Sequence, residues 1–192
     1  MNKKYQCKDI LNSENSIDQV RIAGWVKTKR DGKELSFLEV NDGSCLKNLQ
    51  LVIPRDSNAW PCLSKITTGT SIQAFGDLNE SVGANQKWEL KVSNIEIVGT
   101  CPDEYPLQKK RHTDEFLRQI AHLRPRSNLF GCVFRTRSRL AYAIHQFFQG
   151  KGFVYVHTPI ITASDCEGAG EMFRVTTLNE DETDTNDDFF GK

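Results

Sequence analysis

A basic run followed by an aromatic residue is the first candidate for chemistry in this sequence. The run spans residues 27–33, includes Lys29 and Arg30, and leads into Phe37. Such cations neutralise phosphates, and an aromatic side chain on a strand offers a platform on which a base can stack. Gln50 adds an amide that both donates and accepts hydrogen bonds, as reading a base edge requires. The pattern indicates single-stranded nucleic acid, but an ordinary hairpin tip with Phe37 in the core stays open.

A second candidate combines small residues with carboxylates in the segment 164–171. Its glycines would let a loop approach a ligand closely, and a carboxylate there could hold an ammonium group. It has neither the lysine nor the spacing of a phosphate-binding P-loop. Taken alone, the segment is equally typical of a flexible turn.

Histidines and cysteines show no spacing that predicts a metal site or a nucleophilic triad. The 4 histidines lack partners at helical spacing, and the 6 cysteines are scattered without a CxxC pair. We therefore expect structural histidines, reduced thiols, no metal site and a cytoplasmic location.

Composition is that of a globular protein, with 38% hydrophobic and 26% charged residues. No apolar run reaches the roughly 18 residues of a membrane helix, and no secretory signal is visible, so no membrane partner is expected. The zero formal charge conceals nine Lys and Arg against two acids over residues 109–139, and six acids over 179–188. The basic middle could receive a polyanion, or it could be a solvated face.

The first hundred residues predict a β-barrel. Alternating or β-branched runs predict strands at residues 20–27, 34–40, 49–53, 71–78 and 87–98, with a short helix at 58–66. Three strands, a helix and two strands is the order of an OB-fold, a barrel that binds single-stranded nucleic acid. A small β-sandwich and an SH3-like barrel are the alternatives, and the single helix favours the OB-fold.

The remaining chain predicts an α+β segment. Two prolines within residues 101–106 mark a domain boundary, and a basic connector with one or two short helices should follow to residue 130. Apolar residues at helical spacing predict a long helix that ends at Gly150 and Gly152. The β-branched and aromatic run 153–158 predicts a strand, stopped by Pro159. The predicted domains are 1–100, 101–130 and 131–192.

Five ordered motifs resemble bacterial-type asparaginyl-tRNA synthetases, a class II family. They lie at residues 24–31 (GWVKTKRD), 36–38 (SFL), 122–126 (HLRPR), 158–162 (TPIIT) and 167–173 (EGAGEMF). The match runs from about residue 8 to 178 and resumes at 189–192. Related aspartyl and lysyl enzymes share the barrel and the helix–proline unit, but their connector differs from Leu-Arg-Pro-Arg. The resemblance therefore favours asparagine.

The resemblance implies roles for the candidate residues. Arg30, Phe37 and Gln50 stand where this family meets the anticodon of tRNA, with Phe37 stacking on the central base. Residues 131–159 look like class II motif 1, a helix–strand segment that builds the homodimer interface and ends at Pro159. The loop from Ser164 would border the amino-acid pocket. Glu167 in that loop would face the ammonium group of asparagine.

Motifs 2 and 3, whose arginines contact ATP in this family, are absent from the 192 residues. The resemblance implies ATP and Mg²⁺ in the full-length enzyme, but no catalytic residue and no bound cofactor here. We therefore expect this segment not to activate asparagine, and its motif 1 strand to lack neighbours and expose apolar surface. A stand-alone tRNA-binding OB-fold module and a dimerisation fragment are the other hypotheses.

Overall fold

The computed structural model describes residues 3–83, 86–162, 173 and 175–179. The chain divides into two compact units, Met1–Arg139 and Leu140–Lys192. The predicted boundaries at residues 100 and 130 stay predictions.

The first unit contains a closed barrel of five strands, which confirms the predicted OB-fold. The strands are β1 (Lys3–Lys4), β2 (Ile17–Arg30), β3 (Leu35–Asn41), β4 (Leu49–Pro54), β5 (Ser71–Glu80) and β6 (Trp88–Gly99). Strands β2 to β6 form the barrel in the order β2-β3-β4-β6-β5, and β5 pairs again with β2 to close it. The β4–β6 pair is parallel, and β1 adds a short parallel edge to β2.

Alternation of apolar residues explains why these segments form a barrel. On β3, Ser36, Leu38 and Val40 are fully buried, whereas Phe37 and Glu39 between them are only partly covered. Successive strand residues point to opposite faces, so one residue in two reaches the core. The same pattern on the other strands places their apolar residues inside: Val20, Ile22, Val26, Leu49, Leu51, Ile53, Ile72, Ala74, Leu78, Trp88, Leu90 and Val92.

A glycine allows β2 to approach β3 closely. A Cβ atom on Gly24 would lie 2.7 Å from a Val40 methyl and 2.9 Å from the Asn41 carbonyl oxygen. Both distances are shorter than carbon can tolerate, so only glycine fits this position without a backbone shift.

Short helices cover the ends of the core. A 3₁₀ helix (Trp60–Lys65) lies between β4 and β5, inside the predicted helical segment, and contributes Leu63 to the core. Helix α1 (Cys7–Leu11) and strand β1 were not predicted; α1 buries Cys7 and Ile10 completely. Just beyond α1, the Ser13 carbonyl oxygen accepts a 2.9 Å hydrogen bond from the indole of buried Trp88.

The connector folds into the short helices that the sequence predicts. Helix α2 (Asp114–Gln119) is capped at its N-terminus by Thr113, whose hydroxyl accepts a 3.3 Å hydrogen bond from the Phe116 amide. A 3₁₀ turn (Arg124–Arg126) follows, and then the long helix α3 (Asn128–Gly150). The long helix and its end at Gly150 are confirmed.

In the second unit, the structure describes the end of α3 and the residues after it, with most side chains exposed. Gly152 has φ of 86°, the left-handed conformation that ends a helix. Phe148 packs edge-to-face on Phe153, with ring centroids 5.5 Å apart. The strand predicted over residues 153–158 is wrong for the described structure, where this run is not in a strand. A strand needs a neighbour for its backbone hydrogen bonds, and the described residues offer it none.

Candidate nucleic-acid interface

The pairing of three strands brings the residues that are predicted to contact the anticodon onto one outer surface of the barrel. Arg30 of β2 pairs with Phe37 of β3, Phe37 pairs with Val52 of β4, and Gln50 lies two residues before Val52. Residues two apart on a strand share a face, so Gln50 lies on the same side as Phe37. We call Arg30, Phe37 and Gln50 the Phe37 face.

Phe37 is a surface residue, which rules out its interpretation as a core residue. It is half-buried, whereas its neighbours Ser36 and Leu38 are completely buried inside the barrel. The Arg30 guanidinium lies over the Phe37 ring, with Cζ 4.5 Å from the ring centroid. The contact therefore joins a cation to an aromatic platform at the surface, a combination suited to a base and its phosphate.

The amide of Gln50 completes the Phe37 face. Gln50 pairs with Glu39 across β3 and β4 and is half-buried. Its side chain has no hydrogen-bond partner among the described residues. Glu39 in turn accepts a 3.0 Å hydrogen bond from the Asn48 amide. Gln50 thus keeps its donor and acceptor available for a ligand beside Phe37.

Lys29 points to the other side of β2. Its ammonium donates a 2.6 Å hydrogen bond to the Leu63 carbonyl and lies 3.3 Å from an Asp31 carboxylate oxygen. The other Asp31 oxygen accepts a 2.9 Å hydrogen bond from buried Ser36. Lys29 therefore ties the 3₁₀ helix to the barrel, and the structure does not bring it together with the Phe37 face.

A basic groove lies beside the barrel within the first unit, and the sequence did not reveal it. The groove has a volume of about 750 Å³ and is lined by strand β2, the β3–β4 loop, the connector and the start of α3. Its cationic lining residues are Lys27, Lys109, Lys110, Arg111, Arg126 and Arg135. The charge count predicted a basic connector, but it carried no information that this connector packs against β2.

Lys27 is the most enclosed cation of the groove. Burial lowers the pKa of its amino group, and the nearby Arg126 charge lowers it further. Its ammonium donates a 2.6 Å hydrogen bond to the Arg126 carbonyl oxygen. Lys27 thus links β2 to the connector.

The remaining predicted site residues lie elsewhere. Pro159 is exposed in the second unit. Ser164 and Glu167 lie outside the described residues. Their predicted contacts with asparagine therefore stay predictions, as does the dimer contact of Pro159.

Among the described cysteines, Cys7 alone is buried. Burial, and next the Asp42 charge, raise the pKa of Cys7 to about 12, so this thiol is protonated at neutral pH. The described part of the chain has no group of three or more His, Cys, Asp or Glu side chains that could hold a metal ion. None of its helices is long and apolar enough to span a membrane.

Two family models match the chain. One describes the OB-fold nucleic acid binding domain and matches residues 20–98. The other describes tRNA synthetases of class II (D, K and N) and matches residues 113–190.

The chain is similar to curated asparagine–tRNA ligases. It is 54% identical over 92% of its length to that of Oleidesulfovibrio alaskensis, 56% over 91% to that of Desulfitobacterium hafniense, and 52% over 96% to that of Bacteroides fragilis. It spans 38%, 39% and 41% of these relatives. The matched region is therefore about two fifths of each ligase.

Solved structures support the same fold. One is the asparaginyl-tRNA synthetase of Pyrococcus horikoshii complexed with asparaginyl-adenylate, with a TM-score of 0.76 and 21% identity. The match covers 94% of this chain and 42% of the Pyrococcus chain. Another is the Entamoeba histolytica enzyme in complex with asparaginyl-adenylate, with a TM-score of 0.70 and 22% identity. The match covers 85% of this chain and 39% of the Entamoeba chain. At these identities the likeness concerns the fold alone.

Proposed function

Because the chain belongs to the asparaginyl-tRNA synthetase family, we propose that it supplies the anticodon-binding part of an asparagine–tRNA ligase. The observation that carries this proposal is the Phe37 face, where an aromatic ring, a guanidinium and an amide share one outer surface of an OB-fold barrel. The complete ligase would attach asparagine to its tRNA at the cost of ATP. This chain, which spans about two fifths of its curated relatives, would select the tRNA.

Each residue of the Phe37 face has a distinct proposed role. The Phe37 ring would stack on the central base of the anticodon, an interaction worth about 1–3 kcal/mol per base. Arg30, which reaches solvent above that ring, would pair with a neighbouring phosphate. The Gln50 amide would hydrogen-bond the edge of a base that is splayed out of the anticodon loop.

The basic groove extends the proposed contact with tRNA. Six cations line it beside β2, the same strand that carries Arg30. A polyanion gains affinity from each phosphate that such cations neutralise, in proportion to the counterions released. The groove would therefore strengthen binding without reading sequence, whereas the Phe37 face would supply the selectivity.

Enzymes of this family generally use ATP and Mg²⁺. We propose that ATP and Mg²⁺ act in the complete ligase. We assign no step of asparagine activation to the described residues. Ser164 and Glu167 remain proposed contacts for asparagine, Pro159 a proposed part of a homodimer interface, and the cytoplasm the proposed location.

A direct binding experiment tests the proposal. The anticodon stem-loop of an asparagine tRNA should bind this chain with an affinity that falls as salt rises. A stem-loop with the same stem and a scrambled anticodon should compete at least tenfold less well. Equal competition by both stem-loops would contradict anticodon reading and favour a general single-strand-binding module. An extended chain should then show asparagine-dependent pyrophosphate exchange, whereas this chain should not.

A further inference from the structure

The 3₁₀ turn Arg124–Arg126 places two arginines between the barrel and the start of α3. A 3₁₀ helix has three residues per turn, so side chains two residues apart point in widely different directions. Pro125 separates the two arginines and fixes the backbone dihedral between them. The turn can therefore contact two different elements at once.

Arg126 makes the contacts with the barrel side. Its guanidinium lies over the indole of Trp25 on β2, with Cζ 5.3 Å from the ring centroid, and donates a 3.2 Å hydrogen bond to the Tyr105 hydroxyl. Its carbonyl oxygen accepts the hydrogen bond of Lys27. Both the side chain and the backbone of Arg126 thus bind strand β2.

Arg124 makes the contacts with the helix side. Its guanidinium lies 5.1 Å from the ring centroid of Phe130 and 5.4 Å from that of Phe134, one turn further along α3. All three side chains are half-buried. A planar guanidinium stacks on aromatic rings better than an ammonium, so arginine suits this position.

The backbone around the turn reinforces the contact with α3. The Ser127 hydroxyl donates to the Arg124 carbonyl at 2.7 Å and accepts from the Phe130 amide at 3.3 Å, so it caps the helix. A Cβ on Gly131 would lie 3.2 Å from the Pro125 carbonyl oxygen. The helix therefore begins in tight contact with the turn.

We propose that Arg124 and Arg126 are positioning residues that together hold the first turns of α3, residues 128–139, at one place on the barrel. Arg126 holds the turn on Trp25, and Arg124 holds the helix on the turn. The consequence for the ligase, which rests on the proposed function, is that residues 128–139 keep one place beside the RNA-binding barrel. Neither arginine needs to touch RNA or substrate for this role.

Hydrogen exchange and fluorine NMR on the whole chain test this proposal. Arg124→Ala and Arg126→Ala should each raise amide exchange in residues 130–139 by about tenfold, while exchange in β2 and β5 stays unchanged. With fluorotryptophan at the three tryptophans, Arg126→Ala should shift the Trp25 signal and Arg124→Ala should leave it in place. Arg137→Ala, an exposed position on the same helix, is the matched control and should change neither measurement.

Conservative variants separate stacking from charge. Arg124→Lys and Arg126→Lys keep the charge but lose the planar head, so each should restore less than half of the protection. Trp25→Leu should reproduce the exchange of Arg126→Ala. Unchanged exchange in both alanine variants, an equal rise across the barrel, or full rescue by lysine would each overturn the proposal.

The affinity for the anticodon stem-loop, measured on the same variants, keeps the two proposals apart. It should change less than twofold in Arg124→Ala, because the Phe37 face and all six cations of the basic groove are intact. A wild-type chain that binds no stem-loop, with exchange behaving as expected, would refute the proposed function and leave the positioning role standing. A large affinity loss in Arg124→Ala without any change in exchange would instead make Arg124 an RNA contact and overturn its positioning role.

Discussion

Two arginines of strand β2 each pair with a phenylalanine of a neighbouring strand, and the surroundings of the two pairs differ. Arg30 faces Phe37 on β3 at 4.5 Å, and Arg21 faces Phe75 on β5 at 6.0 Å. Both pairs are cross-strand neighbours on the outside of the barrel. The Arg21 guanidinium also donates a 2.8 Å hydrogen bond to the side-chain amide oxygen of Gln73, whereas the Arg30 side chain has no hydrogen bond or ion pair among the described residues.

The difference separates a structural pair from a pair that is open to a ligand. The Arg21 side chain is held by a partner within the sheet, so a ligand would have to break that hydrogen bond. Arg30 can leave the Phe37 ring at the cost of about 0.5–1 kcal/mol, the value of an exposed cation–π contact. The Arg21–Phe75 pair therefore serves as an internal control for the Phe37 face.

The largest difference is expected when the two rings are removed. Phe37→Ala should weaken binding of the anticodon stem-loop by about 5- to 150-fold, because about 1–3 kcal/mol of base stacking is lost. Phe75→Ala should change the affinity less than twofold. Fluorescence anisotropy titration of both variants measures this, and equal losses would end the distinction between the pairs.

A second prediction concerns salt. If Arg30 contacts a phosphate, Arg30→Ala should lower the slope of log affinity against log salt by about one unit. Arg21→Ala should leave the slope unchanged, because its guanidinium is bound to Gln73. Titrations at several salt concentrations give the slope, and a matching decrease in Arg21→Ala would show that RNA reaches both sides of β2.

The sequence predicted the strands of the barrel, but it did not predict which side chains of the site lie together. Alternating or β-branched apolar runs made the five barrel strands readable. The side of β3 on which Phe37 lies was not readable, because alternation gives two faces without saying which is inside. Lys29 stands next to Arg30 in the same basic run, yet the fold directs it to Leu63. Alternation places the two cations on opposite sides of β2, and the register with β3 shows that Arg30 is the one beside Phe37.

Elements that depend on distant partners were the ones missed or misjudged. Helix α1 has five residues and only two buried side chains, too short to leave a helical period. The run 153–158 has the composition of a strand but lacks a neighbouring strand among the described residues. The roles of Arg124 and Arg126 required the packing of the connector on Trp25, which the charge count does not contain.

A third, smaller difference should separate the two amides. Gln50→Ala should reduce discrimination between the correct and the scrambled anticodon by about 2- to 10-fold, the value of one hydrogen bond at about 0.5–1.5 kcal/mol. Gln73→Ala should leave discrimination unchanged, since its amide faces Arg21. Competition binding with the two stem-loops measures the ratio, and an unaltered ratio in Gln50→Ala would remove Gln50 from the reading surface.

The smallest effect should be on the free energy of unfolding. Here the Arg21 substitution should cost more than the Arg30 substitution, the reverse of their effects on RNA binding. Arg21→Ala loses a hydrogen bond and a cation–π contact, so the free energy of unfolding should fall by about 1 kcal/mol. Arg30→Ala should lower it by less than about 0.5 kcal/mol, as usual for surface substitutions. Urea denaturation compares them, and a larger loss in Arg30→Ala would make the Phe37 face a structural element.

The most direct test removes the stacking partners on both sides of the interface. An anticodon stem-loop with an abasic central nucleotide should bind the wild-type chain about 5- to 150-fold more weakly than the intact stem-loop. Phe37→Ala should bind both stem-loops equally, because the interaction is already absent. Phe75→Ala should still bind the abasic stem-loop more weakly than the intact one by the same factor as the wild-type chain. A Phe37→Ala variant that still loses the same factor on the abasic stem-loop would contradict stacking of Phe37 on the central base.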